Sequence, residues 1–239
     1  FAYDLLRYEY YLGNIGLVSQ ARSREEAGQI LRASLGNLEN FLNRSNDIPF
    51  VIDELERQNN SGPWAGRFDL SRIGMAGHSY GARSTMFAAG ELVGPMGDFA
   101  KEPRIKAGVL LSLDLPRRDF DPNRRYGDIR IPSFHITGTL DDVLGMGTGS
   151  ASRRTQPFKL IPYSPQYLLV LDGADHDTFS GTRLGTDIEK PMDKDHTTTV
   201  SQAAVAFFDA HLRGLSSKEH WIKLKFSHSL VFGDHFEFK

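Results

Sequence analysis

Four short apolar runs constrain this chain more than any other feature. They are Arg72–Ala76, Ala107–Leu113 (AGVLLSL), Ile131–Thr137 (IPSFHIT) and Tyr167–Leu171 (YLLVL). Each is nearly continuous in apolar character rather than alternating, and a strand of that kind is buried on both faces. Helical or loop segments separate the runs. The pattern predicts the α/β class, a mostly parallel sheet with helices on both faces. Chemistry in such sheets gathers beyond the carboxyl ends of the strands. A reactive side chain follows each run there: Ser79, Asp114, Asp141 or Asp142, and His176.

The remaining segments read as cover for that sheet. Tyr3–Leu12 is helical in pattern, Ile15–Ser19 fits a short strand, and Ser23 with Glu26 matches a capping box. Asp47 is placed to cap a helix whose first turn holds Pro49, with Ile48, Val51, Ile52 and Leu55 on one face. A last helix is predicted over Thr197–Leu212. The tail, HWIKLKFSHSLVFGDHFEFK, reads as a strand pair or an extended wrap. With 239 residues the chain is expected to form one domain over 1–239, its core at about 15–215 and a C-terminal tail at 216–239.

Composition excludes several functions. A net charge of −2 gives no overall attraction to nucleic acid. The chain has no cysteine, which removes disulfides, a cysteine nucleophile and thiolate metal sites. No run of about 18 apolar residues is present to span a bilayer. The compartment stays open, with soluble, secreted and periplasmic placements all compatible. The start at Phe1 rather than methionine is the pattern expected of a processed or truncated chain.

The first run leads into Gly77-His78-Ser79-Tyr80-Gly81. G-x-S-x-G between a strand and a helix predicts a tight turn that lifts the serine hydroxyl above the sheet edge. Gly77 and Gly81 are expected where a Cβ would collide with neighbouring backbone. Ala82, Thr85, Ala88 and Ala89 then offer a small face for close helix packing. A serine nucleophile needs a base, and the base needs an acid to orient it. His176, in GADHDTFSG after the fourth run, is the expected base. Of the other histidines, His78 lies inside the elbow with its side chain expected to point elsewhere than the base does, and His135 is expected to be a core residue. For the acid, Asp141 in TGTLDD is preferred, with Asp114 and Asp142 as alternatives. The Tyr80 N–H is the expected oxyanion donor. His78, Leu140 and Met146 are candidate substrate contacts, and the loops Asp114–Arg130 and Val143–Gln166 border the expected site.

No metal set stands at ligand spacing beyond Asp172, Asp175, His176 and Asp177, so neither metal nor other cofactor is expected. Arg117, Arg118, Arg124, Arg125, Arg130, Arg153 and Arg154 read as solvated ion pairs rather than an anion site.

DIPFVIDELERQN, DLSRIGMAGHSYGARST, FHITGTLDD, YLLVLDGADHDTFSG and FFDAHLRG together resemble bacterial α/β-hydrolases of the predicted dienelactone hydrolase group. These are akin to platelet-activating-factor acetylhydrolases and to cutinase-like polyester hydrolases. The resemblance spans roughly residues 23–215. It implies an α/β-hydrolase fold and a carboxylic-ester hydrolase with Ser79, Asp141 and His176 as triad. The expected substrate is a small-molecule or polymeric ester. The acetylhydrolases take their acid after the second of the four runs, which keeps Asp114 as an alternative. Dienelactone hydrolases proper use cysteine at the elbow, so their substrate is not implied. Rival readings are a serine peptidase or amidase on the same fold, and a catalytically impaired hydrolase-like binding protein.

The resemblance has one gap. Such folds place several strands ahead of the elbow, with a His-Gly-x-Gly-like loop that gives a second oxyanion donor. No such motif precedes Ser79 here. The N-terminal strands are therefore expected to be missing or rebuilt. The open sheet edge is expected to be covered by a further N-terminal segment, by the tail Trp221–Lys239 folding back, or by a second copy of the chain.

Overall fold

The computed structural model describes residues 37–113, 121–141, 151–179 and 194–239, together with two helical positions, Glu26 and Gln29. Tyr3–Leu12, Ile15–Ser19 and the Ser23 cap lie outside the described residues, as do Asp114, Asp142 and Met146.

Among the described residues five strands form one sheet in the order β1-β2-β3-β4-β5. They are β1 (Ile73–His78), β2 (Ile105–Leu111), β3 (Ser133–Leu140), β4 (Gln166–Asp175) and β5 (His235–Phe238). The first four run parallel and β5 pairs antiparallel to β4. All four expected strands are present, with boundaries moved by a few residues. Side chains alternate between faces along a strand, and here both faces are apolar. Val109, Phe134, Ile136, Leu169 and Leu171 point to one layer with Ala203 and Phe207. Leu110 points to the other, among Ala82, Met86, Ile129 and Ile161.

Helices cover both faces. α1 (Leu38–Ser61) lies outside α2 (Tyr80–Ala89). The short α3 (Pro122–Tyr126), α4 (Ala151–Arg154) and α5 (Gln156–Leu160) sit in the connections after β2 and β3. α6 (Lys194–Arg213) and α7 (Ser216–Leu224) close the opposite face. The small residues of α2 act as expected: Ala82, Thr85, Ala88 and Ala89 are all buried. Gly108 on β2 brings the helix close, since a Cβ there would stand 3.2 Å from the Thr85 methyl.

Three expectations about elements change. Asp47 does not start a helix. α1 is continuous through Pro49, and its cap is Asn37, whose side chain accepts from the N–H groups of Glu39 and Asn40. The helix tolerates Pro49 because packing of the half-helices on either side outweighs one lost backbone bond. Ile52 is buried beside Ala88 and Ile105, and Phe41 packs edge-on to Phe87 at 5.1 Å. The first part of the tail is helical rather than extended. Ile222 is fully buried on the sheet side of α7, and Glu219 pairs with Lys223 one turn on at 2.6 Å. The tail does fold back, but onto β4, at the sheet edge opposite β1.

Among the described residues no strand precedes β1, which pairs only with β2. Gly74 and Ala76 on it are exposed, while β2 and β3 are buried almost throughout. No helix among the described residues is long and apolar enough to cross a membrane.

Candidate active site

The carboxyl ends of β1, β3 and β4 bring Ser79, Asp141 and His176 into one region. Ser79 stands between β1 and α2 at φ 55 and ψ −114, one of two non-glycine residues with positive φ among those described. Such geometry costs an L-residue of order 1–3 kcal/mol and persists only when the surroundings enforce it. Here they do. The Ser79 N–H donates to the Leu111 carbonyl of β2 at 2.9 Å, and the Ser79 carbonyl accepts from the Arg83 N–H at 3.1 Å. Gly77 makes the turn sterically feasible, because a Cβ on it would lie 2.2 Å from the Gly81 carbonyl carbon. Gly81 departs from expectation. A Cβ there meets nothing within 4 Å, since no described element packs on that side of the turn.

β3 delivers Asp141. Its last turn folds Asp141 back so that its N–H donates to the Gly138 carbonyl at 3.2 Å. The carboxylate is fully buried. Oδ1 accepts the His176 Nδ1–H at 2.9 Å, and Oδ2 accepts the Thr137 hydroxyl at 2.7 Å. Burial alone would push this carboxyl up. The His176 hydrogen bond and the Arg154 charge outweigh it and hold Asp141 below its ordinary value. With Nδ1–H committed to Asp141, a neutral His176 presents Nε2 as its basic nitrogen.

His176 reaches Asp141 because β3 and β4 approach unusually closely at their ends. A Cβ on Gly138 would overlap the Ala174 carbonyl oxygen at 2.1 Å. The ladder shifts register between Gly138 and Leu140 and pairs Leu140 with Asp175. Asp175 and Thr178 then lock the turn that holds His176. The Asp175 carboxylate accepts the Thr178 N–H and hydroxyl at 2.9 and 2.7 Å, and the Thr178 hydroxyl accepts the Asp175 N–H at 3.1 Å.

His78 does not point elsewhere as expected. Its ring lies against that of His176, centroids 4.6 Å apart, and its Nε2–H donates to the His176 carbonyl at 3.0 Å. Burial first, and then the neighbouring His176, lower its pKa to about 4, so His78 is neutral at physiological pH. His135 is a core residue as expected, bonded to Gln166 at 2.8 Å. Tyr80 opens α2, so its backbone N–H is one of the helix's unsatisfied N-terminal donors. Its ring carries the Arg44 guanidinium at 4.8 Å. Leu140 is 59% exposed beside Asp141, where a ligand at the strand ends would meet it.

Arg154 and Arg125 correct the reading of the arginines as solvated: both are buried, Arg154 to 4% exposure. Sequence reasoning missed Arg154, Thr137 and Gly138 as members of the site. Thr137 and Gly138 stand in the FHITGTLDD segment and were within reach of a close reading. Arg154 had no local signal, because only the fold brings it back to Asp141. Among the described residues no group of three or more His, Asp or Glu is arranged to hold a metal.

This constellation sets a strained, half-buried serine at a helix N-terminus, at the same end of the sheet as a buried carboxylate and its partly buried imidazole partner. Such a set can activate a hydroxyl as a nucleophile without a bound cofactor. Neither a family model nor a curated protein matches the chain.

Proposed function

We propose that this protein is a serine carboxylic-ester hydrolase of the α/β-hydrolase fold, working through an acyl-enzyme. The observation that carries the proposal is the 2.9 Å bond from His176 Nδ1–H to the buried Asp141 carboxylate, at the strand ends that also present Ser79. Ser79 Oγ attacks the ester carbonyl and its proton passes to His176 Nε2. The oxyanion develops against the Tyr80 N–H and the positive end of α2. Collapse breaks the C–O bond, and His176 returns the proton to the leaving alcohol. Water, deprotonated by the same nitrogen, then releases the acid and restores Ser79. Asp141 stays ionised throughout and fixes the imidazole tautomer. Small-molecule and polymeric esters both fit this chemistry.

A second reading, a catalytically impaired binding protein, has two observations in its favour. Among the described residues the Ser79 hydroxyl makes no hydrogen bond, and the turn beside it is open at Gly81. Triad contacts are often looser before substrate binds, so the esterase reading is preferred. Turnover of p-nitrophenyl butyrate separates the two. The esterase reading predicts saturable hydrolysis that Ser79→Ala reduces to background. Hydrolysis equal in the wild type and in that variant would overturn it.

A further inference from the structure

The mechanism above leaves Arg154 without a task, yet burial of this guanidinium is nearly complete. A buried charge is tolerated only with several well-aimed partners. Arg154 Nε donates to the Asp141 main-chain carbonyl at 2.7 Å and stands 3.2 Å from Oδ1, the same oxygen that accepts the His176 Nδ1–H. Its Nη1 donates to the Ser112 carbonyl at 2.5 Å. One planar fork therefore ties the end of β2 to the end of β3.

The β2 end is itself distorted to meet it. Ser112 has φ 58, one of two non-glycine residues with positive φ among those described, and its buried hydroxyl faces the Asp141 carboxylate. Backbone strain of this sort tends to mark functional positions. The Arg154 side chain, from α4, thus bonds back to the main chain at the end of β3.

We propose that Arg154 is the positioning residue of the acid–base pair, holding the Asp141 carboxylate at the angle that receives the His176 Nδ1–H. This rests on the esterase reading of the site. A brace that merely joined two strand ends would need the Nη1 and main-chain bonds alone. The approach of Nε to Oδ1 adds a second function, because it reaches the carboxylate oxygen that Thr137 does not bond. Lysine at this position keeps the charge but lacks the planar fork.

The test compares Arg154→Met and Arg154→Lys with the wild type, by p-nitrophenyl butyrate kinetics and by the downfield proton NMR signal of His176 Nδ1–H. Arg154→Met is expected to lower kcat about 10- to 100-fold, the scale for groups that orient a functional ligand, with KM unchanged. The Nδ1–H signal should broaden or vanish. Arg154→Lys should recover part of both. A folded Arg154→Met protein with wild-type kcat and an unmoved signal would overturn the proposal. So would a lysine variant equal to the wild type in both readouts, since lysine lacks the fork. If Arg154→Met fails to fold, Arg154→Lys decides alone: a weakened but present signal with reduced kcat supports the role, and wild-type values overturn it. Should the wild type show no turnover, the esterase reading falls, while the NMR signal still reports whether Arg154 positions the pair.

Discussion

The two halves of the site are built differently. The Asp141–His176 half lies at the ends of β3 and β4, inner strands of the sheet. Asp141 there is fully buried and held by Thr137, His176 and Arg154, and the His176 turn is locked by Asp175 and Thr178. The Ser79 half lies at the end of β1, an edge strand among the described residues, and backbone geometry alone holds Ser79. A charge-bearing pair must be shielded and bonded on every side, because an unpaired buried carboxylate is costly. A serine hydroxyl needs only to be presented, and a strained turn does that without side-chain partners. The halves should therefore respond differently to substitution.

The largest effects break the chemistry at each half. Ser79→Ala should remove ester turnover while leaving the unfolding midpoint near wild type, because its hydroxyl bonds to nothing among the described residues; urea denaturation beside the kinetic assay checks both. Asp141→Asn should cost about 10⁴-fold in kcat, the scale for a lost triad acid, and should also lower stability, since three donors lose their anion. A harmless Asp141→Asn would point to another acid and undo the comparison.

Gly138→Ala sharpens the contrast from the backbone side. Its Cβ would overlap the Ala174 carbonyl, so β3 and β4 must part. Destabilisation of about 1–3 kcal/mol is expected, together with reduced turnover as His176 moves off Asp141.

Acid should act on the buried strands. His135 is held to a pKa of about 4, chiefly by burial, against 6.5 when exposed. Between those values the unfolded chain binds a proton that the folded one refuses, so stability falls as pH falls through that window. From pH 7 to pH 5 the loss is about 2 kcal/mol from this group, and His78 adds to it in the same direction. Unfolding of His135→Gln at both pH values should show that much less pH dependence.

The smallest effect has the opposite sign. Gly81→Ala places a methyl where nothing lies within 4 Å, in the first turn of a helix. It should leave stability unchanged or raise it by about 0.4–1 kcal/mol, whereas Gly77→Ala should be disruptive. Equal damage from the two would mean that another element packs against the turn.

The sequence made much of this visible, for physical reasons. Strands buried on both faces are apolar throughout, so β1 to β4 stood out, and Ser79, Asp141 and His176 follow them by position. Other features depended on contacts that no local pattern encodes. Pro49 misread as a helix start, because tertiary packing carries α1 across it. The tail's Trp221 and Ile222 fit a strand or a helix until the packing of Ile222 decides. Arg154 read as one more loop arginine, since its partners Ser112 and Asp141 come from two separate strands. The symmetry of G-x-S-x-G suggested equal roles for its glycines, and only the three-dimensional surroundings separate Gly77 from Gly81.

A nucleophilic Ser79 activated by the His176–Asp141 pair should react with a fluorophosphonate probe, followed by intact mass and peptide mapping of the labelled chain. One phosphonyl group per chain on Ser79, formed faster in the wild type than in Asp141→Asn, is the predicted result. No adduct, or an adduct on any other residue, would contradict it.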